Sequence, residues 1–119
     1  MAYFQDSEFR CRCGVCPIKP PDPQLVLKLA ELRGAYQKPI YISSGWRCGQ
    51  QNSKVGGVKG SSHLNGTAAD LFCTSSRDRY ILLTHALGLF KRVGIGTTFL
   101  HVDTDPTKDM EVCWLYGPH

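Results

Sequence analysis

Ser61-Ser-His-Leu-Asn-Gly-Thr-Ala-Ala-Asp-Leu-Phe-Cys73 runs from small polar residues into an apolar stretch that carries one carboxylate. Thr67 to Cys73 reads as a strand, and the Ser and Gly residues around His63 favour a loop that feeds it. A lone Asp70 in such a strand is costly unless it is paired, hydrogen-bonded or bound to a metal. Phe99-Leu-His-Val-Asp103 is a second decisive stretch. Strand alternation puts His101 and Asp103 on one face and turns Leu100 and Val102 towards the core. Together the two stretches offer two histidines and two carboxylates, a donor set suited to a catalytic zinc. Such a zinc takes about three protein ligands and keeps one position for a water, which loses its proton near neutral pH. The bland alternatives are a salt-bridged Asp70 and an exposed strand face that happens to carry two polar residues. Both motifs in one small chain favour a zinc hydrolase.

Outward from this centre the pattern predicts an α+β domain. Asp22 before Pro23 is a helix N-cap with proline at the first helical position. Gln24 to Arg33 then carries Leu25, Leu29 and Leu32 on one face, and Gly34 is placed to end the helix. Pro39 to Ser44 reads as a strand and Gly45 to Cys48 as a turn, with loop or a short helix from Gly49 to Gly60. Ser75 and Ser76 offer a cap for a second helix from about Arg77 to Lys91, whose apolar positions are Ile81, Leu82, Ala86, Leu89 and Phe90. Gly94 to Gly96 and Thr98 to Asp103 give two short strands or one bent strand. Thr104 to Asp109 is a turn, and Glu111 to Tyr116 a last strand. Residues 1–22, rich in Cys and Pro, are expected to be irregular and packed on the domain. Two main helices on a small, mainly antiparallel sheet follow from this order.

Length and composition fit that reading. At 119 residues the chain forms one domain, 1–119, with room for a core that does not depend on disulfides. It is 42% hydrophobic and 20% charged, as in ordinary globular proteins. The net charge of +4 is scattered, with Lys91-Arg92 the only basic pair, so nucleic acid is not an expected partner. A mildly basic surface suits a polyanionic cell-wall polymer. No apolar run approaches the ~20 residues of a membrane span. Met1 to Asp6 has neither the basic nor the apolar region of a signal peptide.

Six cysteines are many for this length. Cys11, Cys13 and Cys16 are crowded together, whereas Cys48, Cys73 and Cys113 are dispersed. The crowded set, with Cys48 as fourth ligand, is a candidate for a second, structural metal; disulfides, packed thiols and redox chemistry are the alternatives. Cys73 is expected to be a buried small hydrophobe.

Ser61-x-His63-x-x-Gly66-x-Ala68-x-Asp70 resembles the first metal motif of the zinc D-Ala-D-Ala carboxypeptidase family. That family includes bacterial and phage peptidoglycan peptidases and shares its fold with the hedgehog signalling domain. Ser43-Ser-Gly-Trp-Arg47, Asn52 and Val55-Gly-Gly57 resemble the segment before this motif. Phe99 to Asp103, Trp114 and the Cys11 to Cys16 cluster resemble parts of the family's short subgroup.

The resemblance implies a hedgehog/DD-peptidase-like fold, one zinc held by His63, Asp70 and His101, and Ser61 hydrogen-bonded to substrate. Arg47 would bind substrate or stabilise the developing oxyanion. Many members carry an acidic base three residues before the last histidine ligand, where this chain has Thr98. Asp103 is therefore expected as the base, with metal ligation or orientation of His101 as alternatives. Glu111 and Asp105 fall in or beside a turn, and His85 and His119 are expected to be bystanders. The implied substrate is a peptidoglycan stem peptide or cross-link, cut at D-alanine by a monomer. It would be made in the cytoplasm and reach the wall on release, as in phage lysis. A metal-bearing binding module without catalysis is the competing expectation.

Overall fold

In a computed structural model, which describes residues 3–117, the chain is an α+β domain. The element order is a 3-10 turn Asp6–Phe9, α1 Pro23–Tyr36, β1 Ile42–Ser44, α2 Gly49–Lys54, a 3-10 turn Ser62–Asn65, β2 Ala68–Phe72, α3 Ser76–Leu89, β3 Arg92–Ile95, β4 Phe99–Asp103 and β5 Val112–Leu115. The five strands form one sheet in the order β1-β2-β4-β3-β5. Neighbours run antiparallel except β3 and β5, which are parallel.

Helices α1 and α3 pack on one face of this sheet. Leu25, Leu29 and Leu32 of α1 are fully buried, as their spacing predicts. They meet Leu82 and Ala86 of α3 and Leu71, Leu100 and Val102 of the sheet in a single core. Cys73 lies in that core as well. Each of these leucine and valine side chains removes about 1.5–3 kcal/mol of unfavourable hydration when fully buried. The opposite pleat positions of β2 and β4, Asp70, His101 and Asp103, are thereby turned to the sheet's other face.

Local boundaries depart from the sequence reading for identifiable reasons. Residues 1–22 are not wholly irregular: the three prolines of that region, Pro17, Pro20 and Pro21, lie beyond Phe9, and the 3-10 turn before them is closed by Gln5 N–H donating to Glu8 Oε2 at 2.7 Å. This turn inserts Phe9, 1% exposed, into the core, and Trp46 N–H donates to the Phe9 carbonyl at 2.9 Å. Gly34 does not end α1. The helix runs to Tyr36 and closes at Gln37, whose φ of 63° is left-handed. Asp22 occupies the N-cap position without a side-chain cap bond; its Oδ2 instead accepts from Thr104 Oγ1 at 3.3 Å. Ser75 caps α3 as expected, accepting from Asp78 N–H at 3.2 Å. His119 lies outside the described residues.

Candidate metal centre

His63, Asp70 and His101 come together on the sheet face away from α1 and α3. Ser61 Oγ accepts from His63 N–H at 3.2 Å and so starts the 3-10 turn that carries this histidine. Gly66, at a φ of 76°, reverses the chain out of that turn and into β2. Asp70 is then set opposite His101 by the antiparallel register of β2 and β4. All three side chains are buried, and one donor atom from each lies within 4.8 Å of the other two.

Hydrogen bonds behind the two rings decide which nitrogens face inward. His63 Nδ1 is 2.7 Å from the Gly45 carbonyl oxygen, which can only accept, so Nδ1 carries the proton and Nε2 faces Asp70 Oδ1 at 3.2 Å. Gly45 can stand there because it has no side chain: a Cβ would lie 2.7 Å from the Phe9 backbone. His101 Nε2 is 2.7 Å from Asp103 Oδ2, and Nδ1 is 3.0 Å from Asp70 Oδ1. The closer carboxylate, Asp103, accepts a hydrogen bond from Nε2–H, which leaves the Nδ1 lone pair for the centre. This carboxylate-behind-histidine arrangement fixes ring orientation and raises ligand basicity. The donor set of two inward imidazole nitrogens and one carboxylate therefore fits zinc.

Charge at the centre is strongly coupled. Burial works to raise the Asp70 carboxyl, but the adjoining His101 and His63 imidazoles outweigh it and hold the group below its ordinary range. Burial likewise pushes His101 down, whereas Asp103 and Asp70 on either side raise it overall. Two buried carboxylates thus draw positive charge to the point between the rings, either as a proton on His101 or as a metal cation.

Arg47 donates from Nη2 to Asp70 Oδ2 at 3.3 Å, from Nη1 to Asn52 Oδ1 at 3.2 Å and from Nε to Ser44 Oγ at 3.1 Å. Its guanidinium is held at the rim of the centre. Asp103 is buried at the back: Arg92 Nε donates to its Oδ1 at 2.8 Å, as does Asp105 N–H at 3.2 Å. With Oδ2 engaged by His101, this geometry favours the orienting role over the base role expected from the sequence. Thr98 is exposed at the β3–β4 connection. Asp105 is tied to Ser62 Oγ at 2.8 Å and to Lys108 Nζ at 3.7 Å, which locks the Thr104–Asp109 turn beside the centre. His85 lies on α3 and Glu111 is exposed; neither lines the cleft.

The centre forms the floor of a cleft of about 600 Å³. Phe99, Trp114 and Tyr116 pack on one another as an aromatic wall, and Val55 to Val58, Ser61 and Lys108 also line the cleft. The Trp114 ring lies 5.4 Å from His101 and the Tyr116 ring 6.2 Å. Burial pushes the Tyr116 phenol up to about 12 against a hydrogen bond from Trp114, so it stays a protonated donor.

Sequence reasoning singled out neither Tyr116 nor Arg92. The alternation of Trp114 and Tyr116 on a terminal strand was one available signal. The other was the opposite charge of Arg92 and Asp103, which the β3–β4 register pairs.

An α+β domain with a buried His–Asp–His group at the floor of an open cleft has the form of a metal-site protein. The family model for Peptidase M15 matches residues 2–103, and the chain belongs to that family. Strand β5 with Trp114, and Tyr116 just after it, lie beyond the matched residues. A search of curated proteins finds no match.

Proposed function

We propose that this protein is a zinc metallopeptidase acting on short peptides. The observation that carries the reading is the convergence of His63 Nε2, Asp70 and His101 Nδ1 at the cleft floor, with both rings held in the ligand tautomer from behind. Zinc held by these residues would supply Lewis acidity towards a peptide carbonyl and acidify a water to a pKa near 7. The chain's own groups do the remaining work. Gly45 and Asp103 keep the imidazole lone pairs turned inward. Arg92 holds Asp103 in place. Arg47 offers a fixed positive charge to a substrate carboxylate or a developing oxyanion. Ser61 and the Tyr116 phenol offer hydrogen bonds from the walls, and the aromatic wall excludes water from one side.

The substrate class we favour is a peptidoglycan stem peptide or cross-link, cut at D-alanine. Three features support it: membership of the M15 family, a cleft large enough for a short peptide, and the cations Arg47 and Lys108 at its edge. Action as a monomer that reaches the wall on cell lysis belongs to the same proposal.

A second reading has one specific observation behind it. The carboxylates that line the cleft are Asp70 and Asp103, and both are engaged with histidine and arginine partners. A metal-bearing peptide-binding module without turnover would look the same.

The test is peptide release from purified cell wall and from a synthetic stem peptide, with metal-free protein, zinc-restored protein and His63→Ala. Release that needs zinc and His63 is expected. Activity that persists in metal-free protein would defeat the metallopeptidase reading. Zinc-loaded protein that binds the peptide without cleaving it would establish the binding module.

A further inference from the structure

The cysteines that the peptidase reading leaves unused sit together at the other end of the Arg47 loop. Cys11, Cys13, Cys16 and Cys48 each direct a sulfur into one cluster whose atoms all lie within 4.8 Å of one another. Cys11 Sγ and Cys48 Sγ are 3.6 Å apart, although 37 residues separate them in the chain. A tetrahedral tetrathiolate with a metal–sulfur bond of about 2.3 Å needs sulfurs about 3.8 Å apart. The cluster is therefore already at the scale of one shared ion.

A second observation concerns the hydrogen bonds that the sulfurs receive. Backbone N–H groups point at three of the four: Cys48 N–H to Cys11 Sγ at 3.3 Å, Val15 N–H to Cys13 Sγ at 3.5 Å and Gln51 N–H to Cys48 Sγ at 3.4 Å. Such donors favour sulfur carrying negative charge, and a ligating thiolate gains from the same outer hydrogen bonds that orient other metal ligands. The turn that makes this possible is Cys13-Gly-Val-Cys16, with Gly14 at a φ of 85°, a conformation open to glycine and strained for most other residues.

We propose that Cys11, Cys13, Cys16 and Cys48 bind a second metal ion, zinc or ferrous iron, as a closed tetrathiolate site with a structural role. Binding releases the four thiol protons to solvent and changes no oxidation state. All four positions are filled by sulfur, so no coordination position is left for a substrate, in contrast to the His63–Asp70–His101 centre. The ion joins the N-terminal segment to the residue that follows Arg47. It thereby closes the loop on which Gly45 backs His63 and Arg47 reaches Asp70.

The experiment uses the full chain purified under reducing conditions and separates the two centres by substitution. Metal content of the His63→Ala/His101→Ala variant should be one equivalent, and it should fall to none when Cys13→Ser/Cys16→Ser is added. Cobalt(II) titration of the same His-substituted chain should give thiolate-to-cobalt charge-transfer absorption, which isolates the cluster whatever the fate of the peptidase reading. The unsubstituted chain should give the same absorption, so the result does not depend on any variant folding. A reduced chain that binds cobalt without that absorption overturns the proposal. So does freshly isolated protein whose intact mass and alkylation show these cysteines paired as disulfides.

Discussion

Replacing Asp103 by Asn tests the arrangement behind His101. Asp103 accepts from His101 Nε2 at 2.7 Å, from Arg92 Nε at 2.8 Å and from Asp105 N–H at 3.2 Å, and it is 2% exposed. An amide has one acceptor oxygen and one donor nitrogen, so one of the two side-chain partners must face the NH2 group. Either way Arg92 loses its counter-charge; if Arg92 also faces the NH2 group, two donors meet and the part-buried guanidinium loses its acceptor, at a cost of about 1–3 kcal/mol or more. If His101 faces it, Nε2 must become an acceptor, and the ring proton moves to Nδ1, the nitrogen the centre needs. The second arrangement is the cheaper, and it weakens metal binding directly. Loss of a partner behind a metal-bound histidine typically costs about 10–100-fold in affinity, which is roughly 1.4–2.7 kcal/mol. Zinc competition against a chromogenic chelator, on protein shown to be folded by thermal melting, should read that loss. If Asp103→Asn keeps the parent zinc affinity but loses about 100-fold or more in turnover, Asp103 is acting as a general base and the orienting argument is wrong.

Three further outcomes follow from the same contacts. Gly94→Ala should lower stability by about 1–3 kcal/mol, the usual cost of overpacking, because its Cβ would sit 2.6 Å from Trp114 Nε1; an unchanged melting temperature would mean the aromatic wall is not packed on β3. Burial raises the Asp105 carboxyl, but hydrogen bonds from Thr107 and Ser62 and the charge of Lys108 outweigh it and hold it at about 2. A depressed acid contributes stability above its unfolded pKa of about 3.9 and loses it as pH falls through the folded value, so wild type should lose up to roughly 2 kcal/mol relative to Asp105→Asn between about pH 4 and 2. Zinc restored to metal-free protein at about 100 times its dissociation constant should add about 2.7 kcal/mol, read as a rise in melting temperature that His63→Ala abolishes.

What the sequence determined by itself is whatever local periodicity encodes. Leu25, Leu29 and Leu32 share a face because a helix repeats every 3.6 residues, and they are buried as that repeat requires. His101 and Asp103 share a face because a strand repeats every two, and a carboxylate among Ala68, Ala69 and Leu71 announced a partner. The tertiary structure decided matters that depend on contacts between distant segments. It settled which ring nitrogen faces inward through Gly45, a carbonyl that no side-chain pattern reports. Arg92 came to Asp103, and β5 came alongside β3 in parallel, through pairings that a linear reading does not contain. Cys48 reached Cys11 for the same reason. Periodicity sorts side chains onto faces. Only the packed chain brings those faces together, because that depends on burial and hydrogen bonding across separations at which the sequence has no local signal.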